Sequence, residues 1–189
     1  MKSKIIILLG AVLCMVACND SSAVRDAKGA YRYKTTGQVT VEESVEQDGW
    51  TKIDSTVVNL DNESGTLEVV SLHNGDSLLL TLDQKNGDVT VTRGAIKDGR
   101  LHFVPYHRTL DVPTVVKYYD TITLDLGLIT RDTILVRERN EYEVYDITVS
   151  GSAEVYDNNL VFNLNYNGKS QTTERTLRGR DIRSLAKKN

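Results

Sequence analysis

The stretch YRYKTTGQVTVE, residues 31–42, alternates strictly. Tyr31, Tyr33, Thr35, Gly37, Val39 and Val41 fall on one side of an extended chain, and Arg32, Lys34, Thr36, Gln38, Thr40 and Glu42 fall on the other, because successive side chains of a strand point to opposite faces. The alternation predicts a strand buried on one face, with a bend at Gly37. From Gly29 to the end the period of two recurs and a 3.6-residue pattern is nearly absent, so the chain reads as all-β. Strands are expected at residues 50–60, 66–72, 77–83, 115–126, 133–139 and 142–150. In the last of these the alternation slips from Tyr142 and Val144 to Tyr145, Ile147 and Val149, which predicts a bulge. Gly151 is expected to bend that strand on its way to Tyr156.

The joints between strands are tight. Asn74-Gly75, Asn86-Gly87, Asp98-Gly99 and Asn167-Gly168 each supply the positive φ of a two-residue hairpin turn. Roughly ten strands in about 160 residues must hide their edges, and a sequence of hairpins favours an antiparallel up-and-down meander closed into a barrel, with a β-sandwich as the alternative. No motif repeats at a fixed period, which argues against a propeller or solenoid.

The 189 residues are 40% apolar and 26% charged, with 13 Gly and 2 Pro, an ordinary globular balance. Both cysteines, Cys14 and Cys18, lie near the start, so the folded body holds neither a disulfide nor a thiolate metal site. Lys2 and Lys4 precede the apolar run IIILLGAVLCMVA, which ends in a small residue before Cys18: a basic region, a short apolar core and a cleavage site. The segment Met15-Val16-Ala17-Cys18 resembles the lipobox of bacterial lipoproteins. That resemblance implies cleavage of residues 1–17, lipidation of Cys18 and attachment to a membrane through acyl chains. Cys14 follows the bulky Leu13 and fits the pattern less well. Residues 18–28 then read as the lipidated Cys and a polar tether, and residues 29–189 as a β domain with a basic C-terminal tail, which fits either a solvated last strand with a frayed terminus or a contact with an acidic partner or phospholipid headgroups.

Cleavage would take the formal charge from −3 to −5. The seven basic and two acidic residues from 169 to 189 carry +5, which leaves −10 on residues 19–168. An acidic body argues against a nucleic-acid partner.

The tether, the opening Gly29-Ala30-Tyr31, the hairpin meander and the closing segment Val149-Ser150-Gly151-Ser152-Ala153-Glu154-Val155-Tyr156 followed by Leu160 to Tyr166 resemble the small lipocalin-like (calycin-type) lipoproteins of Bacteroidetes. Tyr31 stands where lipocalins proper carry Trp. The resemblance implies a barrel held at the cell envelope, on the periplasmic or surface side of the outer membrane. Asp54-Ser55-Thr56, Asp76-Ser77-Leu78, Asp120-Thr121-Ile122 and Asp132-Thr133-Ile134 resemble the O-glycosylation triplet of the same bacteria, which makes Ser55, Ser77, Thr121 and Thr133 candidate acceptors.

Enzyme chemistry finds little purchase. His73 lies in an expected turn, and His102 and His107 would point to opposite faces of a regular strand unless Pro105 turns the chain between them. There is no Gly-x-Ser-x-Gly elbow and no Gly-rich loop opening a helix. The expectation is a non-enzymatic protein without cofactor or metal.

The remaining signal is aromatic. Tyr31, Tyr33, Phe103, Phe162 and Tyr166 fall on inward faces, where they either fill the barrel or line a cup. A cup would bind a small apolar or glycan-like ligand, with these five residues as its lining and small Thr35 and Gly37 leaving space between them. A filled barrel would instead mark an accessory or interaction subunit that meets an envelope protein through an open edge or an exposed strand face.

Overall fold

The computed structural model describes residues 22–47, 49–60, 63–72, 77–85, 87–125, 130–156 and 158–189, and of 47, 122–125 and 130–133 the backbone alone. A short helix, α1 (Ser22–Ala27), leads into β1 (Gly29–Thr36), β2 (Gln38–Gln47), β3 (Trp50–Asn59), β4 (Glu63–Ser71), β5 (Ser77–Gln84) and β6 (Val89–Lys97). There follow β7 (Arg100–Phe103), β8 (Tyr106–Asp125), β9 (Thr130–Tyr156), β10 (Asn159–Ser170) and β11 (Thr176–Lys188).

Every pairing is antiparallel. The order β1-β4-β5-β6-β7-β9-β10-β11 closes on itself through β1 and β11, giving an eight-stranded barrel with β2, β3 and β8 as additional strands. Closure into a barrel, not a sandwich, is therefore what this hairpin pattern produces. The additional strands continue barrel strands past a break. At Gly37 the chain bends from β1 into β2, and β3 runs back beside β2 before β4 runs beside β1. In the same way β8 extends the line of β7 past Val104 and Pro105 and stays paired with β9 from Tyr106↔Val149 to Asp125↔Thr130.

The inward phase of the first strand is as read from sequence: Tyr31, Tyr33, Thr35 and Val39 are buried while Arg32, Lys34 and Thr36 are exposed. Gly37 has φ 149°, and a Cβ there would stand 3.2 Å from the backbone of Ile182, so the bend needs glycine on both counts. Leu67, Leu78, Leu80, Leu101, Leu160, Leu177 and Ile182 complete a core of fully buried aliphatics, each worth roughly 1.5–3 kcal/mol of transfer free energy. Asp98 and Gly99 both have positive φ, the geometry of the expected type I′ turn between β6 and β7. The Asn74-Gly75 pair and Asn86 lie outside the described residues.

Three expectations are corrected. Asn167-Gly168 is not a turn: both residues sit inside β10, between Thr148-Ile147 of β9 and Arg178-Leu177 of β11, and the chain reverses at residues 171–175. No bulge interrupts β9 at Tyr142, because the β8–β9 register is continuous. Tyr142 and Val144 belong to the outward phase and Glu143 takes the inward one, so a buried carboxylate had masqueraded as a slip. The irregularity lies instead in β11, where the register with β10 shifts between Leu164 and Tyr166 and Asp181 has φ 55°.

The basic C-terminal stretch is folded. It is the strand that closes the barrel, with Leu177, Ile182 and Ala186 inward and Arg178, Arg180, Arg183 and Lys187 on its solvent face. Part of the polar stretch read as a tether is also folded. In α1, Val24 and Ala27 are completely buried, and the Tyr31 hydroxyl donates to the Ala27 carbonyl at 2.8 Å, so the helix caps the barrel end where β1 begins.

Candidate functional site

All five aromatics expected to face inward do so, and all are buried. Phe103 packs on Phe162 and on Tyr106 with ring centroids 6.1 and 5.9 Å apart, in tilted geometry. Tyr31 is separated from them, at the α1 end. On the arm side of Arg108 and Glu63 lies an open groove of about 440 Å³ that also touches Gln84, Leu110, Pro113 and Tyr142, whereas within the barrel Tyr33, Phe103, Phe162, Tyr166 and the unforeseen Tyr106 surround a space of about 20 Å³. That volume admits about one water, whereas small-molecule pockets run from roughly 300 Å³ upward. Thr35 and Gly37 do not open a cup. The Thr35 hydroxyl donates to Ser184 Oγ at 3.0 Å, and Ile182 packs against Gly37.

Polar groups close the mouth above this space. The Arg108 side chain, 4% exposed, forms an ion pair with Glu63, itself 13% exposed, and donates to Gln84 Oε1 and to the Tyr166 hydroxyl, each at 2.8 Å. The Tyr166 hydroxyl in turn donates to Glu63 Oε2 at 3.1 Å. Burial pushes the Tyr33 phenol up to about 12, with Glu63 adding to the rise and Arg108 opposing it, and burial likewise holds Tyr166 well above the usual phenol range. Burial opposes the Arg108 charge, but Tyr166 and Glu63 outweigh it and the guanidinium stays ionised. A buried cation thus has a carboxylate, an amide oxygen and a phenol around it, which is what a charge needs to be tolerated away from water.

Two β arms frame the mouth. One is the outer part of the β2–β3 hairpin; the other is the β8–β9 ribbon beyond Pro113↔Tyr142, where those two strands pair with nothing else among the described residues. Arg175, at the β10–β11 turn, braces both: its guanidinium lies 2.8 Å from Glu43 on β2 and 3.1 Å from Glu143 on β9. Burial opposes the Glu143 charge, yet hydrogen bonds from Ser170, Thr173, Tyr145 and Arg175 outweigh it and hold the carboxyl below its ordinary range. Above this brace a cleft of about 270 Å³ separates the arms, walled by Val41 and Val58 on one side and by Val112 and Val115 on the other.

The arms carry most of the exposed apolar surface. Trp50 is 80% exposed, Ile53 64% and Val57 60% on β3. On the ribbon, Val115, Tyr119, Ile134, Val136 and Tyr142 are all exposed, and the register places them on one face, since opposed residues of a β pair share a side.

Other candidates scatter. Pro105 does turn the chain, so that His102 and His107 are both exposed; His107 Nδ1 lies 3.0 Å from Thr148 Oγ1, and no cluster of three or more potential metal ligands occurs among the described residues. Ser55 and Thr121 are exposed on the arms and Ser77 is half-buried at the start of β5. Cys18, His73 and the Thr133 side chain lie outside the described residues. Arg108, Glu63, Glu143 and Arg175 escaped the sequence reading. The first had a signal: Tyr106-x-Arg108-x-Leu110-x-Val112 alternates in phase, and a strand begun at residue 106 instead of 115 would have shown an arginine on the inward face. Comparison with known proteins finds no matching family model, no similar curated sequence and no similar solved structure.

Proposed function

We propose that the protein is a non-enzymatic, envelope-anchored lipoprotein that acts through its surface, its barrel serving as a rigid stem and its two arms receiving another polypeptide. The observation that carries this reading is the interior: about 20 Å³ remains beside Tyr33, Phe103, Phe162 and Tyr166, and the mouth above it is closed by Arg108 and Glu63. A small apolar or glycan-like ligand entering the barrel would have to displace both core aromatics and a buried ion pair. The exposed apolar residues of the arms, by contrast, are available without rearrangement. Membrane attachment rests on the amino-terminal pattern ending at Cys18.

Thermal unfolding across lipids, bile-acid-like amphiphiles and glycans tests the surface role, because a ligand bound only to the native state raises its melting temperature by mass action. The expected result is no shift, together with a loss of about 3–5 kcal/mol for Phe162→Ala, as for truncation in a filled core. A saturable rise of several degrees with any of these compounds overturns it. For the anchor, Cys18→Ala is expected to release the protein from the membrane fraction and Cys14→Ala to leave it there.

A further inference from the structure

Of the edges that the arms leave bare, that of β3 is long and regular, and we infer that β3 pairs with β3 of a second copy of this chain, an inference that rests on the surface role above and names the partner for it. Among the described residues, strand β3 pairs only with β2. It ends the order of strands, and its other side has no paired strand among the described residues. Nine of its ten residues are exposed. Bare edges in stable monomers are usually blunted by proline, a bulge, a very short strand or charged side chains, lysine above all. β3 runs ten residues, Trp50–Asn59, in unbroken register with β2 and contains neither Pro nor Gly; its charges are one of each sign, Lys52 and Asp54, which a second copy of the strand can neutralise. On the other arm β8 carries Pro113, which lacks a ladder donor, and the bare part of β9 is dense in charge, with Arg137, Glu138, Arg139 and Glu141 within five residues.

An unpaired row of N–H and C=O groups calls for a strand, and the side chains say which one. When β3 meets its copy antiparallel with Ile53 opposite Ile53, Lys52 of each chain faces Asp54 of the other, so that two ion pairs form by symmetry. Thr51 faces Ser55 and Trp50 faces Thr56 in the same register. Lys52 and Asp54 already share a face within one chain, 2.8 Å apart and well exposed, so the assembled joint carries a square of alternating charge. The neighbouring registers do not work. Centring on Asp54 or on Lys52 opposes two like charges, and a half-step in either direction sets Asp54 or Lys52 against Ile53. Self-recognition is therefore specified by attraction in one register and by repulsion or desolvation in its neighbours. Ile53, exposed in the single chain, becomes the apolar centre of an isologous contact. Because the strands run antiparallel, the two barrels lie at opposite ends of the joint and their α1-capped ends point apart.

The test is sedimentation of the intact chain in density-matched detergent over a wide concentration range. The expected result is a reversible monomer–dimer equilibrium. Lys52→Asp sets two aspartates against each other at both symmetric positions and is expected to weaken dimerisation about tenfold or more. Lys52→Asp combined with Asp54→Lys exchanges the charges and is expected to restore it. Both changes are on an exposed strand, and an unchanged melting temperature shows that each variant is folded. A monomer at every concentration, or a dimer indifferent to Lys52→Asp, overturns the pairing. A ligand-induced rise in melting temperature would instead count against the surface role, so the two failures are told apart.

Discussion

Arg108 offers the sharpest way to measure what holds the barrel mouth shut. Its side chain is 4% exposed and reaches Glu63, Gln84 and Tyr166 at once. Replacing it by Met keeps much of the volume but strands the Glu63 carboxylate, 13% exposed, without its cation. Removing one partner of a buried pair costs about 3–5 kcal/mol, because the remaining charge keeps its desolvation penalty. For a chain of this size that corresponds to a fall of about 10 °C in melting temperature. Arg108→Met with Glu63→Leu removes both charges, and its cost should be well below the sum of the two single changes. Urea unfolding followed by far-ultraviolet circular dichroism is the suitable assay. Fluorescence is not, because Trp50 is 80% exposed on an arm and reports little of the core. If Arg108→Met loses less than about 1 kcal/mol, or if the double variant equals the sum of the singles, the mouth is not closed by a coupled buried pair.

Gly151 and Gly99 separate steric from conformational need. At Gly151, with φ 149°, an added Cβ would stand 2.0 Å from the Asn163 carbonyl oxygen, whereas at Gly99, with φ 74°, it meets nothing within 4 Å. Gly151→Ala should therefore cost several kcal/mol in chemical denaturation and Gly99→Ala only about 1–2 kcal/mol. Glu143 makes stability acid-sensitive. Its folded pKa is depressed, so its contribution is fully present above the unfolded value near pH 4.3 and is lost as pH falls through the folded one; Glu143→Gln should flatten that part of the stability profile measured by urea titration at successive pH values. Tyr33 acts at the other extreme. With its phenol raised to about 12, the unfolded chain ionises first, and stability should fall between about pH 10 and 12, less so in Tyr33→Phe. Arg175→Gln should loosen the link between the arms, visible as faster amide exchange in residues 43–45 and 141–143 with the barrel strands unchanged.

By itself the sequence determined the fold class and much of the register. Residues 31–41 alternate without a break, and the core follows them residue by residue; Asp98-Gly99 demands a primed turn, and one is there. These features are local, set by side-chain period and by the φ a turn requires, so they are legible in a linear chain. Wherever the inward phase carries a charge, the same reading fails. Glu143 looked like a slipped register and Arg108 was missed, because a polar residue on an apolar face makes sense only beside partners distant in sequence, at residues 63, 166, 170 and 175. Asn167-Gly168 carried a turn signal in the middle of a strand, where two neighbours pin the backbone and override a preference worth about 1 kcal/mol. Tertiary structure alone decided whether five inward aromatics line a cup or fill a core. That depends on the barrel's radius and on what closes its ends, and both follow from the long-range pairing of β1 with β11, the seating of α1 and the Arg108–Glu63 pair. The arms belong to the same category. Alternation marks β3 and β8 as strands, but only the spatial order of all the strands shows that each keeps one edge bare.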